Sequence, residues 1–125
     1  MKNRIPDPCR LLIVGINPGR LTEEVDAPFA YPGNRFWLAL EAAGITPYRV
    51  HANEGLSEED SAMLAELGIG FTNLVNRMTP KASDLSKAEL VEGGEVVRDV
   101  VETHQPTAVM FAGIGAYRDA YRRPK

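Results

Sequence analysis

Leu11-Leu12-Ile13-Val14-Gly15-Ile16-Asn17-Pro18-Gly19 is the stretch that decides the fold. A strand with one wet face alternates apolar and polar residues, whereas Leu11 to Val14 is apolar throughout, as a strand covered on both faces must be. Gly15 closes the run, and the turn from Gly15 to Gly19, in which Pro18 fixes one backbone dihedral, has the composition of a sharp exit from the strand. Doubly covered strands belong to parallel sheets, whose neighbours are joined by helical crossovers. The rest of the chain is therefore expected to alternate between helix and strand.

Working outward, Asn34 stands where it can cap a helix whose Phe36, Trp37, Leu40 and Ala43 share a stripe, with Gly44 as its stop. Ser57, with Asp60 near the capping-box position, opens a second helix that runs through Met63, Leu64 and Leu67 to Gly68. Gly70 to Val75 reads as the second strand, followed by a loop containing Thr79-Pro80. Ser86 and Glu89 make a Ser-x-x-Glu capping box at the head of a longer helix carrying Leu90, Val97, Val100 and Val101, weakened by Gly93-Gly94 and ended before Pro106. Thr107 to Ala112 is a third strand, and Gly113-Ile114-Gly115 leads into a last short helix through Tyr117 and Tyr121. The order β-α-α-β-α-β-α predicts an α/β protein, a three-layer α/β/α sandwich around a short parallel sheet. In such folds the site lies outside the carboxyl ends of the strands, here the turn Gly15 to Gly19, the segment Asn73 to Arg77 and the turn Gly113 to Gly115.

The 125 residues, 44% hydrophobic and 25% charged, suffice for one core and a single domain over residues 1–125. A formal charge of −3 excludes a protein that grips nucleic acid over its whole surface, so any such contact is local. The lone Cys9 has no disulfide partner within the chain, which suits a reducing compartment, and Leu11 to Val14 is too short for a signal or membrane segment. A cytoplasmic monomer without membrane contact is the expectation. His51 and His104 lack neighbouring metal ligands, and Glu58-Glu59-Asp60 falls in the first turn of a helix, where it complements the dipole. No metal and no cofactor are expected.

The first turn is the richest in chemistry. An amide such as that of Asn17 cannot serve as a general base at neutral pH, but its carbonyl oxygen can orient a water by accepting a hydrogen bond. That suffices when the leaving group departs largely unaided, as in glycosidic cleavage of a pyrimidine nucleotide through an oxocarbenium-like transition state, with turn amides stabilising the departing anion. A plain turn and a phosphate cradle are the other readings of these five residues. The Gly-x-Gly-x-x-Gly spacing of dinucleotide folds and the Gly-Lys-Ser/Thr ending of a P-loop are both missing from it. Further on, Ala27 to Trp37 is a loop rich in aromatics, suited to holding an extruded base by stacking. Phe29 is the first choice for the stacking ring and Tyr31 the second, while Phe36 and Trp37 fall on the core-facing stripe of the following helix.

Taken in order and spacing, Gly15-Ile16-Asn17-Pro18-Gly19, the stretch Pro28 to Trp37, the stretch Gly68 to Val75 and Glu92-Gly93-Gly94 resemble the mismatch-specific uracil DNA glycosylase and thymine DNA glycosylase family over nearly the whole chain. The resemblance implies that Asn17 positions the attacking water. It also implies that Ile16 and the neighbouring Pro18 and Gly19 contact the pyrimidine through the backbone, and that Phe29 stacks on it. Asn73 matches a position near the family's pocket and reads equally as a strand-end cap. The implied partner is double-stranded DNA bearing a G·U or G·T mismatch. Family members carry a later Asn-Pro-Ser or Met-Pro-Ser motif after a fourth strand, whose loop fills the gap left by the flipped nucleotide. Neither tripeptide occurs up to Lys125, so the expectation is a C-terminally incomplete member lacking the last strand. A noncatalytic DNA- or pyrimidine-binding module is the alternative, and an unrelated α/β protein holding a phosphorylated small molecule is a third. Arg20 and the cluster Arg118, Arg122, Arg123 and Lys125 read either as phosphate contacts or as solvated surface charge.

Overall fold

The computed structural model describes residues 1–124. Strand β1 (Leu11–Gly15) forms the middle of a three-stranded sheet, flanked by β2 (Ile69–Asn73) and β3 (Ala108–Phe111) in the order β2-β1-β3. Both pairings are parallel: Leu11 stands opposite Ile69 and Ala108, and Val14 opposite Thr72 and Phe111. Helices α1 (Arg20–Val25), α2 (Phe36–Ala42) and α3 (Glu58–Glu66) connect β1 to β2. Helix α4 (Lys87–His104) crosses from β2 to β3, and α5 (Ile114–Tyr121) follows β3.

The unbroken apolar run of β1 is explained by two separate cores. Ile13 is fully buried on one side with Phe71, Trp37, Leu40 and Leu64, beneath α1 to α3. Leu12 and Val14 are as deeply buried on the other side with Leu74, Leu90, Val97 and Ala120, beneath α4 and α5. Side chains alternate across a strand, so consecutive residues of β1 feed different layers, and each fully buried side chain stabilises the fold by about 1.5–3 kcal/mol. The sandwich expected from Leu11 to Val14 is the one observed. Among the described residues β3 has no strand on its outer edge, and no helix is long and apolar enough to cross a membrane.

Local signals account for two helix starts. The Ser57 hydroxyl accepts the Asp60 amide at 3.0 Å, and at α4 Ser86 and Glu89 exchange side chain and backbone in a reciprocal capping box. Gly44, at φ +76°, follows α2 as its stop. The element order differs from expectation by one helix, because α1 occupies part of what reads as a loop. Its six residues are too few to show an apolar stripe. It is held instead by the Arg20–Glu24 pair (3.3 Å), by Asp26 in the left-handed region at φ 50°, and by Thr22, whose hydroxyl accepts the Ala30 amide. The second strand begins at Ile69 and ends at Asn73, and the third is Ala108–Phe111, each ending short of the stretch read from sequence.

Gly93, which reduces helix propensity, is required by packing, and Gly94 beside it sits in a tight contact. A Cβ on Gly93 would collide with the carbonyl oxygen of Leu74, and one on Gly94 would come within 3.1 Å of the Tyr121 ring. A backbone carbonyl cannot swing aside as a side chain can. Gly93→Ala is therefore expected to destabilise the fold by about 1–3 kcal/mol, whereas Gly115→Ala, where nothing lies within 4 Å, gains about 0.5–1 kcal/mol from the helix preference. Urea unfolding of the two variants checks the contrast.

Candidate active site

All three turns singled out in the sequence meet at the carboxyl edge of the sheet. The ladder between β1 and β2 continues beyond the strands, with the Leu74 amide donating to the Gly15 carbonyl at 2.9 Å and the Val75 amide to the Ile16 carbonyl at 3.0 Å. The two exit loops therefore leave side by side. Gly113, at φ +144°, packs against Ile16, where a Cβ would lie 2.8 Å from the Ile16 side chain, which brings in the turn after β3.

This arrangement places the Asn17 amide against residues about 60 positions later. Asn17 Nδ2 donates to the carbonyl oxygen of Arg77 at 2.9 Å and to Thr79 Oγ1 at 2.7 Å. Thr79, only 4% exposed, passes its own proton to the Lys81 carbonyl at 2.6 Å. A hydroxyl has one proton, so Thr79 Oγ1 faces Asn17 as an acceptor, and the Arg77 carbonyl is an acceptor by nature. Two acceptors on one side oblige the amide to present its NH₂ there. The carbonyl Oδ1 is left on the other side, where it accepts from no group among the described residues. The amide is locked in the one orientation that leaves a lone pair for a water.

Asn17 lines a cavity of about 40 Å³, together with Ile16, Pro18, Phe29 and Asn73 and with Met1 on one side. That volume holds on the order of three water molecules at ~10–15 Å³ each, so a planar pyrimidine fits only if the walls move. Phe29 has φ 52°, a conformation that costs a non-glycine residue about 1–2 kcal/mol. Its ring is stacked on Phe36 with centroids 3.8 Å apart and planes 17° from parallel. Phe36 thus backs Phe29 as well as facing the core, while Trp37 is buried and donates from Nε1 to the Pro28 carbonyl at 3.1 Å, pinning the loop. Backbone strain held by surrounding packing is a feature of functional positions. Gly15 forms the floor between the rings and Asn73: a Cβ there would stand 2.5 Å from Asn73 Oδ1 and 3.5 Å from the Phe29 ring.

Five of the expected site residues are brought together, namely Ile16, Asn17, Pro18, Phe29 and Asn73. Two are not. Tyr31 is 69% exposed, its ring lies close to Gly33, and it does not line the cavity. Gly19 is the residue at which α1 starts, and it faces open space rather than the cavity. Asn73 is not a strand-end cap, since its side chain forms no hydrogen bond among the described residues and lines the cavity wall. Arg77 ends the segment Asn73 to Arg77 singled out in the sequence, which assigned it no role, whereas Thr79 was not evident as a member of the site, its only trace being a threonine ahead of Pro80 in a loop. Arg77 is itself held by a bidentate pair with Glu89, Nε to Oε2 at 2.9 Å and Nη2 to Oε1 at 3.0 Å. The Arg77 guanidinium, with help from the Ser86 amide, holds the Glu89 carboxyl down at about 2. Arg20 is spoken for by Glu24 on its own helix. Among the described residues no three His, Cys, Asp or Glu side chains are grouped to hold a metal ion.

An amide held by two acceptors, a phenylalanine ring and a second amide whose side chain makes no hydrogen bond among the described residues converge on one small cavity at the sheet edge. In a comparison with known families, the model described as Uracil DNA glycosylase superfamily matches residues 3–123.

Proposed function

The chain belongs to the uracil DNA glycosylase superfamily, whose members act on DNA, and we propose that it hydrolyses the N-glycosidic bond of uracil, and more slowly of thymine, mispaired with guanine in double-stranded DNA. The target nucleotide is extruded from the stack into the cavity, at a cost of a few kcal/mol that is smaller for a mismatched base. Phe29, braced from behind by Phe36, stacks on the base. Asn73, an amide with a donor and an acceptor side by side, pairs with the O4 and N3–H of the imide edge, a pattern that cytosine reverses. As the bond lengthens, positive charge develops on the sugar and negative charge on the departing pyrimidine. The Ile16 and Asn17 amides, which donate to no acceptor among the described residues, face that anion. Asn17 Oδ1 holds the water that adds to C1′ as the glycosidic bond breaks, and the proton that this water sheds neutralises the departed pyrimidine anion. No cofactor takes part, and the protein works as a cytoplasmic monomer.

The observation that carries this reading is the fixed orientation of the Asn17 amide by Arg77 and Thr79. The tightness of the cavity favours uracil, since thymine adds a methyl group that must be accommodated. Single-turnover cleavage of otherwise identical U·G and T·G duplexes, read after alkaline cleavage at abasic sites, is expected to be faster for U·G by about 10- to 100-fold. Equal rates would remove the size argument, and tight binding to both duplexes with no cleavage of either would establish a binding module instead.

A further inference from the structure

We propose that Glu89 is a positioning residue for this reaction, acting through Arg77 on the amide of Asn17; the inference rests on the reading of Asn17 given above. Glu89 is the third residue of α4, and its carboxylate is fixed twice. Oε1 accepts the Ser86 amide at 3.1 Å while the Glu89 amide is capped by Ser86 Oγ at 3.1 Å, so the side chain is tied back against the helix start. The same carboxylate engages Arg77 through both prongs of the guanidinium, at 2.9 and 3.0 Å. The carbonyl of Arg77 in turn accepts from Asn17 Nδ2 at 2.9 Å. Five hydrogen bonds, joined through the covalent frame of Arg77, therefore link the N-terminus of α4 to the amide of Asn17. Helix α4 is an anchored end for that path, because Gly93 lets it close against the Leu74 carbonyl without a gap.

The arrangement answers a physical need. Arg77 lies on an exposed loop outside the sheet ladder, and a carbonyl on such a loop wanders unless something fixes its residue. A bidentate guanidinium–carboxylate pair is the side-chain contact that fixes orientation as well as distance. Arg77 Nε and Nη2 are committed to Glu89 and turned along α4, which is the geometry of a strut rather than of an arginine presented to a DNA phosphate. Sequence gives Glu89 a complete role as a helix cap, and that reading conceals this one.

The two roles separate by substitution. Glu89→Gln keeps the capping-box acceptor, since glutamine serves at that position too, and removes the charge that grips Arg77. The full chain is assayed under single turnover on a duplex with one U·G pair, as wild type, Glu89→Gln, Asn17→Ala and the double variant, with duplex affinity and melting temperature measured alongside. Glu89→Gln is expected to leave the melting temperature and the duplex Kd nearly unchanged and to lower the chemical rate by about 10-fold. That loss is expected to vanish when Asn17 is already alanine, because the path then ends at nothing. A full rate in Glu89→Gln, a loss of equal size in both backgrounds, or a change in Kd with the rate intact would overturn the proposal. A wild-type chain that cleaves nothing, or an Asn17→Ala chain that cleaves normally, would instead sink the reading of Asn17 on which it stands.

Discussion

Asn17→Ala is expected to reduce single-turnover cleavage at a U·G pair by about 10²-fold or more, while duplex affinity stays within about twofold. The asymmetry follows from what the side chain touches. Its Nδ2 bonds go to Arg77 and Thr79 of the protein itself, its Oδ1 accepts from no group among the described residues, and the residue lines the small cavity. Removing it subtracts little from the ground-state grip on DNA and takes away the group that aligns the water as the sugar turns cationic. The fold loses two hydrogen bonds, about 1 kcal/mol each, and Thr79 still donates to Lys81, so the variant is expected to fold. A melting curve recorded with the rate keeps the two effects apart. Thr79 belongs to the same device: without its lone pair the Arg77 carbonyl alone holds the amide, and an amide that flips offers the water a donor in place of an acceptor.

The second large effect is expected at Gly15. The Cβ of Gly15→Ala would meet Asn73 Oδ1 at 2.5 Å and approach the Phe29 ring at 3.5 Å. Asn73 Oδ1 is the tip of a rotatable side chain, so it can move away at small cost in stability, unlike the Leu74 carbonyl that blocks Gly93. Activity is less forgiving. The methyl group projects into a cavity of about 40 Å³ and displaces the Asn73 amide, and under the proposed reading a combined loss of about 10²-fold or more in kcat/KM is expected. The unfolding midpoint is expected to shift by a few degrees at most, on the order of 1 kcal/mol or less. Gly93→Ala and Gly15→Ala are thus mirror cases, one costing the fold and the other the site.

Much of this was written locally. Leu11 to Val14 announced a doubly covered strand because consecutive residues of β1 enter different cores, and Ser57 and Ser86 announced their helices because capping needs only three or four neighbouring residues. Helix α1 escaped notice because it is shorter than two turns. Asn17 read from its turn as a candidate to hold a water, yet what orients its amide did not show there, since Arg77 and Thr79 lie 60 and 62 residues away and only the continued β1–β2 ladder brings them near. Phe29 and Tyr31 stand two residues apart in one aromatic loop, and nothing local distinguishes them. Stacking on Phe36 draws Phe29 into the cavity wall and leaves Tyr31 in solvent. Gly93-Gly94 misled in the other direction, a pair that weakens a helix by propensity, whose first member is demanded by the approach of the Leu74 carbonyl and whose second packs closely on Tyr121.

The central claim is that Asn17 positions the water in a glycosylase reaction. Its most direct test is a radiolabelled duplex with a single U·G pair, incubated with excess wild-type or Asn17→Ala protein and then treated with alkali. The claim predicts strand scission at the uracil position alone for the wild type, with almost none for Asn17→Ala although both bind the duplex. Scission of equal rate by both proteins, or tight binding without scission by the wild type, would contradict it.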